Sequence, residues 1–233
     1  MKRAATTLLV LLVASVASVA FTSRADAALR VPQVPVLGGS LQAYLNSVGE
    51  SINVATQQDA TQAWAHTTSA TTAFTLQFES TPNANLNSFG MYNGGAVVPT
   101  LFLLINGAII PQGFSTGTFK PGNQLVVNRF DHNAIPLGSQ TFIGVDPTNF
   151  CFYLQGPNGT FFTQDARNPG GKAQALAYAG TGPNTGTWWL CWEESSVAAG
   201  SDQDFDDCVV LMESVNPTPV STTSWGQLKA RFR

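Results

Sequence analysis

Between about residue 50 and residue 215, apolar or alternating runs of five to nine residues recur between clusters of Gly, Pro, Asn, Asp and Ser. No helical periodicity is sustained over that stretch, so the runs predict strands. They are Ser51 to Thr56, Gln62 to Thr67, Ala73 to Glu79, Ser88 to Tyr92, Thr100 to Ile105, Gly113 to Phe119, Gln124 to Phe130, Gln140 to Val145, Asn149 to Gln155, Thr160 to Gln164, Ala173 to Ala179, Thr187 to Glu193 and Asp206 to Ser214. The clearest hairpin spans Asn149 to Gln164, where Gly156-Pro157-Asn158-Gly159 offers Asn-Gly for the positive-φ positions of a tight reversal. The expectation is all-β: an antiparallel, jelly-roll-like β-sandwich over residues 51–215. One short helix, Ser40 to Val48, precedes it; Ser40 caps it, and Leu41, Tyr44, Leu45 and Val48 share one side. Residues 216–233 read as a Pro/Thr-rich linker and a basic-aromatic tail, TSWGQLKARFR.

The N-terminus has a separate logic. Lys2 and Arg3 precede an apolar run from Leu8 to Phe21, and small residues around Ala25 and Ala27 offer a peptidase site. That is the layout of a secretory signal over residues 1–27, with 28–50 as an N-terminal segment. The run is shorter than the roughly 20 residues that span a bilayer, so no transmembrane segment is expected after cleavage and the location is secreted or cell-surface. Removal of Lys2, Arg3, Arg24 and Asp26 leaves eight basic and thirteen acidic residues, a formal charge of −5. No basic stripe is left to neutralise phosphates, which argues against a nucleic-acid partner. In an oxidising compartment, Cys151, Cys191 and Cys208 are compatible with one disulfide and a leftover thiol, or with three buried thiols.

Seven of the thirteen acids fall between Glu193 and Glu213, and no lysine or arginine lies among them. Carboxylates this dense repel one another unless water or a cation compensates. Hard oxygen donors with no His or Cys cluster point to Ca²⁺ rather than to zinc or copper. The candidate ligands are Glu193, Asp202, Asp204 and Asp206, with Asp207 either a further ligand or an anchor for a backbone N–H. The spacing of Asp202, Asp204, Asp206 and Glu213 imitates an EF-hand loop, but Asp207 stands where that loop needs a sharply turning glycine, and CVVLMES reads as a strand. A solvated acidic loop is the competing interpretation.

The run WWLCWEES…GSDQDFDDCVVLMES resembles the C-terminal signature of an uncharacterised extracellular β-sandwich domain of bacterial exported and surface proteins. That signature is an aromatic residue and Glu-Asp, a short loop, then G-x-D-x-D-(F/Y)-N-D before a hydrophobic strand. FTLQFES…NSFGMYN and NFCFYLQGPNGTFFTQDARNPGG are similar to the family in wording and order, so the resemblance covers roughly residues 70 to 215. It implies that Glu193, Asp202, Asp204, Asp206 and Asp207 take the family's acidic, calcium-associated positions. Glu194 replaces the usual Asp and Asp206 the usual Asn, both retaining an oxygen donor. Cys151 and Cys191 stand where Gly is frequent.

Two other function classes compete. Glu193 and Glu194 as a glycosidase pair would need to face each other at about 5 to 9.5 Å, whereas neighbours on a strand point to opposite faces. His66 and His132 lie in no nucleophile motif, so no catalytic residue is expected. A carbohydrate-binding module would use Trp64, Trp188, Trp189, Trp192 and Tyr153 as a stacking platform for a glycan. The leading expectation is a calcium-binding module with a structural or adhesive role at the cell surface.

Overall fold

The structure, a computed structural model, describes residues 40–69, 71–106 and 113–218. The expected signal segment 1–27 and most of the tail, with Trp225, lie outside the described residues. The strands are β1 (Trp64–His66), β2 (Thr71–Phe78), β3 (Ser88–Asn93), β4 (Phe102–Asn106), β5 (Phe114–Lys120), β6 (Gln124–Phe130), β7 (Pro136–Ile143), β8 (Phe150–Gly156), β9 (Gly159–Phe162), β10 (Ala175–Ala179), β11 (Trp188–Trp192), β12 (Cys208–Glu213) and β13 (Val215–Pro217). They form two antiparallel sheets. The six-stranded sheet runs β13-β1-β8-β3-β4 with β9 beside β8, and the seven-stranded sheet runs β10-β11-β12-β2-β5-β6-β7. The molecule is therefore an all-β sandwich, and none of its described helices is long and apolar enough to cross a membrane.

Period-two alternation decides which side chains meet between the sheets. Phe74 and Leu76 of β2, Leu125 and Val127 of β6, and Leu190 and Trp192 of β11 point inward against Phe89, Phe150 and Phe152 of the facing sheet. The rings of Phe89 and Phe152 stack at 5.4 Å, and Trp64 meets Phe152 edge-on at 5.1 Å. Each large apolar side chain fully buried there contributes roughly 1.5–3 kcal/mol.

A second core lies on the outer face of the seven-stranded sheet. Leu176, Tyr178, Trp189, Cys191 and Val209 point outward into it, and Leu41, Leu45, Ile52, Val54 and Phe205 cover them. The covering helix α1 (Ser40–Ser47) matches the expected helix and buries Leu41 and Leu45. Tyr44 stacks on Phe78 at 4.8 Å and approaches Trp189 edge-on. This outer core is what brings the N-terminal segment beside the acidic loop.

Several expectations need correction. Ser51 to Thr56 forms a turn, because Asn53 Oδ1 accepts the amides of Ala55 and Thr56 while Ile52 and Val54 cover the outer core. β7 begins at Pro136, earlier than expected, and β13 extends into the segment assigned to the linker. The β8–β9 hairpin pairs Gly156 with Gly159 as expected, but the positive φ falls on Gly159 and not on Asn158. The stacking platform does not form: Trp64, Trp189, Trp192 and Tyr153 are buried, and Trp188 is half-buried. Their strands lie under packed layers, so these rings fill cores. The three cysteines are free and buried. Cys191 faces the outer core and Cys208 the inter-sheet core, although their strands are adjacent.

Candidate metal centre

Glu193 follows β11 directly, and its N–H donates to Gln174 O at 3.0 Å, which continues the strand's anchoring by one residue. Gln174 Nε2 in turn donates to Ser195 O at 2.8 Å, and its Oε1 accepts the Val197 N–H at 2.6 Å. One buried amide thus fixes the start of the loop joining β11 to β12. After a short 3-10 turn at Val197–Ala199, Gly200 takes φ of 92° and the chain reverses. The segment Asp202-Gln203-Asp204-Phe205-Asp206 then alternates: Gln203 and Phe205 both adopt left-handed φ, 64° and 57°.

Left-handed backbone costs a residue with a Cβ roughly 1–2 kcal/mol, so this geometry needs compensation. Part of it is visible. Phe205 is fully buried in the outer core, and its N–H donates to Glu193 Oε1 at 2.8 Å. The two kinks place carboxylate oxygens of Asp202 and Asp204 beside that of Glu193, and the three ligand atoms lie within 4.8 Å of one another. Glu193 is fully buried, Asp204 half-buried and Asp202 exposed, so the group opens outward through Asp202. Among the described residues, Glu193 Oε2 and Asp204 Oδ1 are both buried and neither makes a hydrogen bond of ordinary geometry.

Unpartnered buried carboxylate oxygens beside other carboxylates are costly. The cost shows in the titration of the neighbourhood. Burial, opposed by hydrogen bonding from the Phe205 N–H and the Ser201 hydroxyl and aided by the charges of Asp202 and Asp204, pushes Glu193 above its ordinary value. Burial and then the charge of Asp204 push Asp206 up to about 7. Burial also raises Asp207 to about 7, with Glu193 and Glu194 adding to the effect. A divalent cation inverts this logic by favouring the charged forms.

Of the five expected ligands, the structure thus groups Glu193, Asp202 and Asp204. Asp206 is almost fully buried, and its Oδ2 accepts the hydroxyl of Ser40 at the start of α1. It adjoins Asp204 but stands outside the three-oxygen group. Asp207 Oδ2 accepts the Glu194 N–H at 2.9 Å, a contact of the anchoring kind, and Asp207 stands outside the three-oxygen group. Glu194 points elsewhere, as expected of a neighbour on an extended chain: Asn83 Nδ2 donates to its Oε1 at 2.6 Å and Asn87 Nδ2 to its Oε2 at 2.7 Å.

Sequence reasoning gave Ser40 only a capping role and missed Phe205, Asn83, Asn87 and Glu79. Glu79 ends the β2 run, and burial together with the charge of Glu194 raises it to about 8. The polar string ESTPNANLN was the available signal for the three residues after β2, since so many amides close to a strand end imply something to hydrogen-bond. Neither histidine joins the group: His66 packs its ring 4.7 Å from Phe119, and His132 lies in the β6–β7 turn. No family model matches the chain, and no curated protein matches it significantly.

Proposed function

We propose that this protein is an exported β-sandwich module that binds Ca²⁺ at Glu193, Asp202 and Asp204 and serves a structural or adhesive role at the cell surface rather than a catalytic one. The observation that carries the reading is the fully buried Glu193, whose Oε2 makes no hydrogen bond of ordinary geometry among the described residues and whose carboxylate converges with those of Asp202 and Asp204. A buried carboxylate oxygen without a donor, beside two further carboxylates, is relieved by a cation that supplies the missing charge. The donor set is oxygen only, which suits a hard cation; a loop that opens to solvent through Asp202 leaves room for water to complete the six to eight oxygens that calcium takes. Export rests on the signal-like N-terminus, and a surface role rests on the resemblance of the acidic signature to the extracellular β-sandwich domain. An extracellular setting supplies millimolar calcium, enough for a weak site.

The test is thermal unfolding in chelator and then across a calcium titration. A native-state ligand raises the midpoint by mass action, by about 2.7 kcal/mol of stability at a hundredfold excess over Kd. The expected result is a saturable upward shift that Asp204→Ala abolishes. In chelator the same substitution should cost little, because it removes carboxylate repulsion. A midpoint indifferent to calcium, or an equal loss from Asp204→Ala in both conditions, would remove the metal and leave a solvated acidic loop.

A further inference from the structure

The acidic loop is shared between the three-carboxylate group and the outer core, and the sharing is residue by residue. Asp202 and Asp204 face Glu193, whereas Phe205, the next residue, is fully buried in the same cluster as Leu41 and Leu45 of α1. Asp206, the residue after that, takes the hydroxyl of Ser40 on α1's first residue. The Phe205 N–H is itself held by Glu193, so the group that would bind the ion also holds the ring that packs beneath the helix.

Beyond the packing of Leu41, Tyr44 and Leu45 in the outer core, the remaining polar ties of α1 among the described residues are Gln42, whose Nε2 donates to Ile52 O at 2.8 Å and whose Oε1 accepts the Val54 N–H at 3.0 Å, Tyr44 Oη at 3.3 Å from Gln77, and Leu45 O, which accepts the N–H of Glu50, itself held by Thr181, Asn184 and Trp189. An eight-residue helix is far below the length at which helices hold in water by themselves, so α1 exists through its docking. Without a cation, repulsion among Glu193, Asp202 and Asp204 acts to spread the loop, and spreading it withdraws Phe205 and Asp206 from the helix.

We infer that metal occupancy of this loop governs the docking of α1: binding at Glu193, Asp202 and Asp204 locks Phe205 and Asp206 against the helix, and removal of the metal loosens it. The inference rests on the calcium reading above and adds a consequence to it. By linkage, a weakening of the docked helix must also weaken metal binding by the corresponding factor.

The experiment follows hydrogen exchange of the full chain in chelator and in saturating calcium, with calcium affinity measured by calorimetry on the same samples. The expected result is slowing of the α1 amides by about fivefold or more relative to those of β5 and β6, the lower end of usual coupling strengths. Ser40→Ala should diminish that selective slowing, and Leu45→Ala should weaken calcium binding although it touches no carboxylate. Calcium binding with α1 and the β5–β6 hairpin slowed alike, and with wild-type affinity in both variants, would overturn the coupling while leaving the site intact. Absence of calcium binding in the wild-type chain would overturn both readings.

Discussion

At Gln203 and Phe205 two side-chain-bearing residues accept left-handed backbone, and what they obtain is direction: an extended D-x-D-x-D segment would send all three aspartates to one face, whereas the kinked one sends two to Glu193 and one to Ser40. That division was not legible in the sequence. Acid density and spacing pointed to Glu193, Asp202, Asp204, Asp206 and Asp207 alike, and φ at a Gln and a Phe, which divides them, leaves no mark in composition. Glu79 carries the residue-scale prediction. Its carboxyl is raised to about 8 by burial and by Glu194, so its folded-state value exceeds its unfolded one. Protonated Glu79 is tolerated below its ordinary value of 4.5; stability is then lost as pH rises from there through about 8. Glu79→Gln, which cannot ionise, should therefore raise the unfolding midpoint at pH 8 and change it little at pH 4.5. Glu50 has the opposite sign: burial raises it, but donors from Thr181, Asn184 and Trp189 outweigh burial and hold it below its ordinary value. Its contribution is present above that value and lost as pH falls through the depressed one, so Glu50→Gln should cost stability at neutral pH and progressively less in acid.

Among the elements, the strands with one clean apolar face were legible and those without were not. β6 falls where the alternation of Leu125 and Val127 puts it, and β11 and β12 follow from runs apolar on both faces because both faces are covered. β7 is an edge strand exposed along nearly its whole length, so its first residues, Pro136-Leu137-Gly138-Ser139, show no burial pattern. Ser51 to Thr56 shows alternation that arises from a turn laid on an outer core. The β3–β4 pair contains a register shift at Phe89 and Gly90, and a Cβ at Gly90 would meet Phe102 O at 2.4 Å and the Tyr153 ring at 2.5 Å. Backbone on one side and a packed ring on the other leave nothing that moves easily. Gly90→Ala should destabilise by about 1–3 kcal/mol, read from the denaturant midpoint, whereas Gly95→Ala, whose Cβ meets nothing, should change it little.

Across the whole molecule two cores share the β10–β11–β12–β2 end of one sheet, and this arrangement decides the cysteines. Cys191 and Cys208 occupy adjacent strands but opposite faces, and Cys151 sits apart with Tyr92 and Tyr153. Burial raises all three thiols, Cys151 to about 12. The midpoint of unfolding should thus be the same with and without reductant; a drop in reductant would reveal a bridge. The same two-core arrangement puts the carboxylate group at the rim where loop, helix and sheet meet. Calcium binding itself is the central claim, and calorimetric titration of calcium into the chelator-stripped chain tests it most directly. One saturable site, lost in Asp202→Asn/Asp204→Asn, is expected; no binding heat up to millimolar calcium, or an unchanged isotherm in that variant, would contradict it.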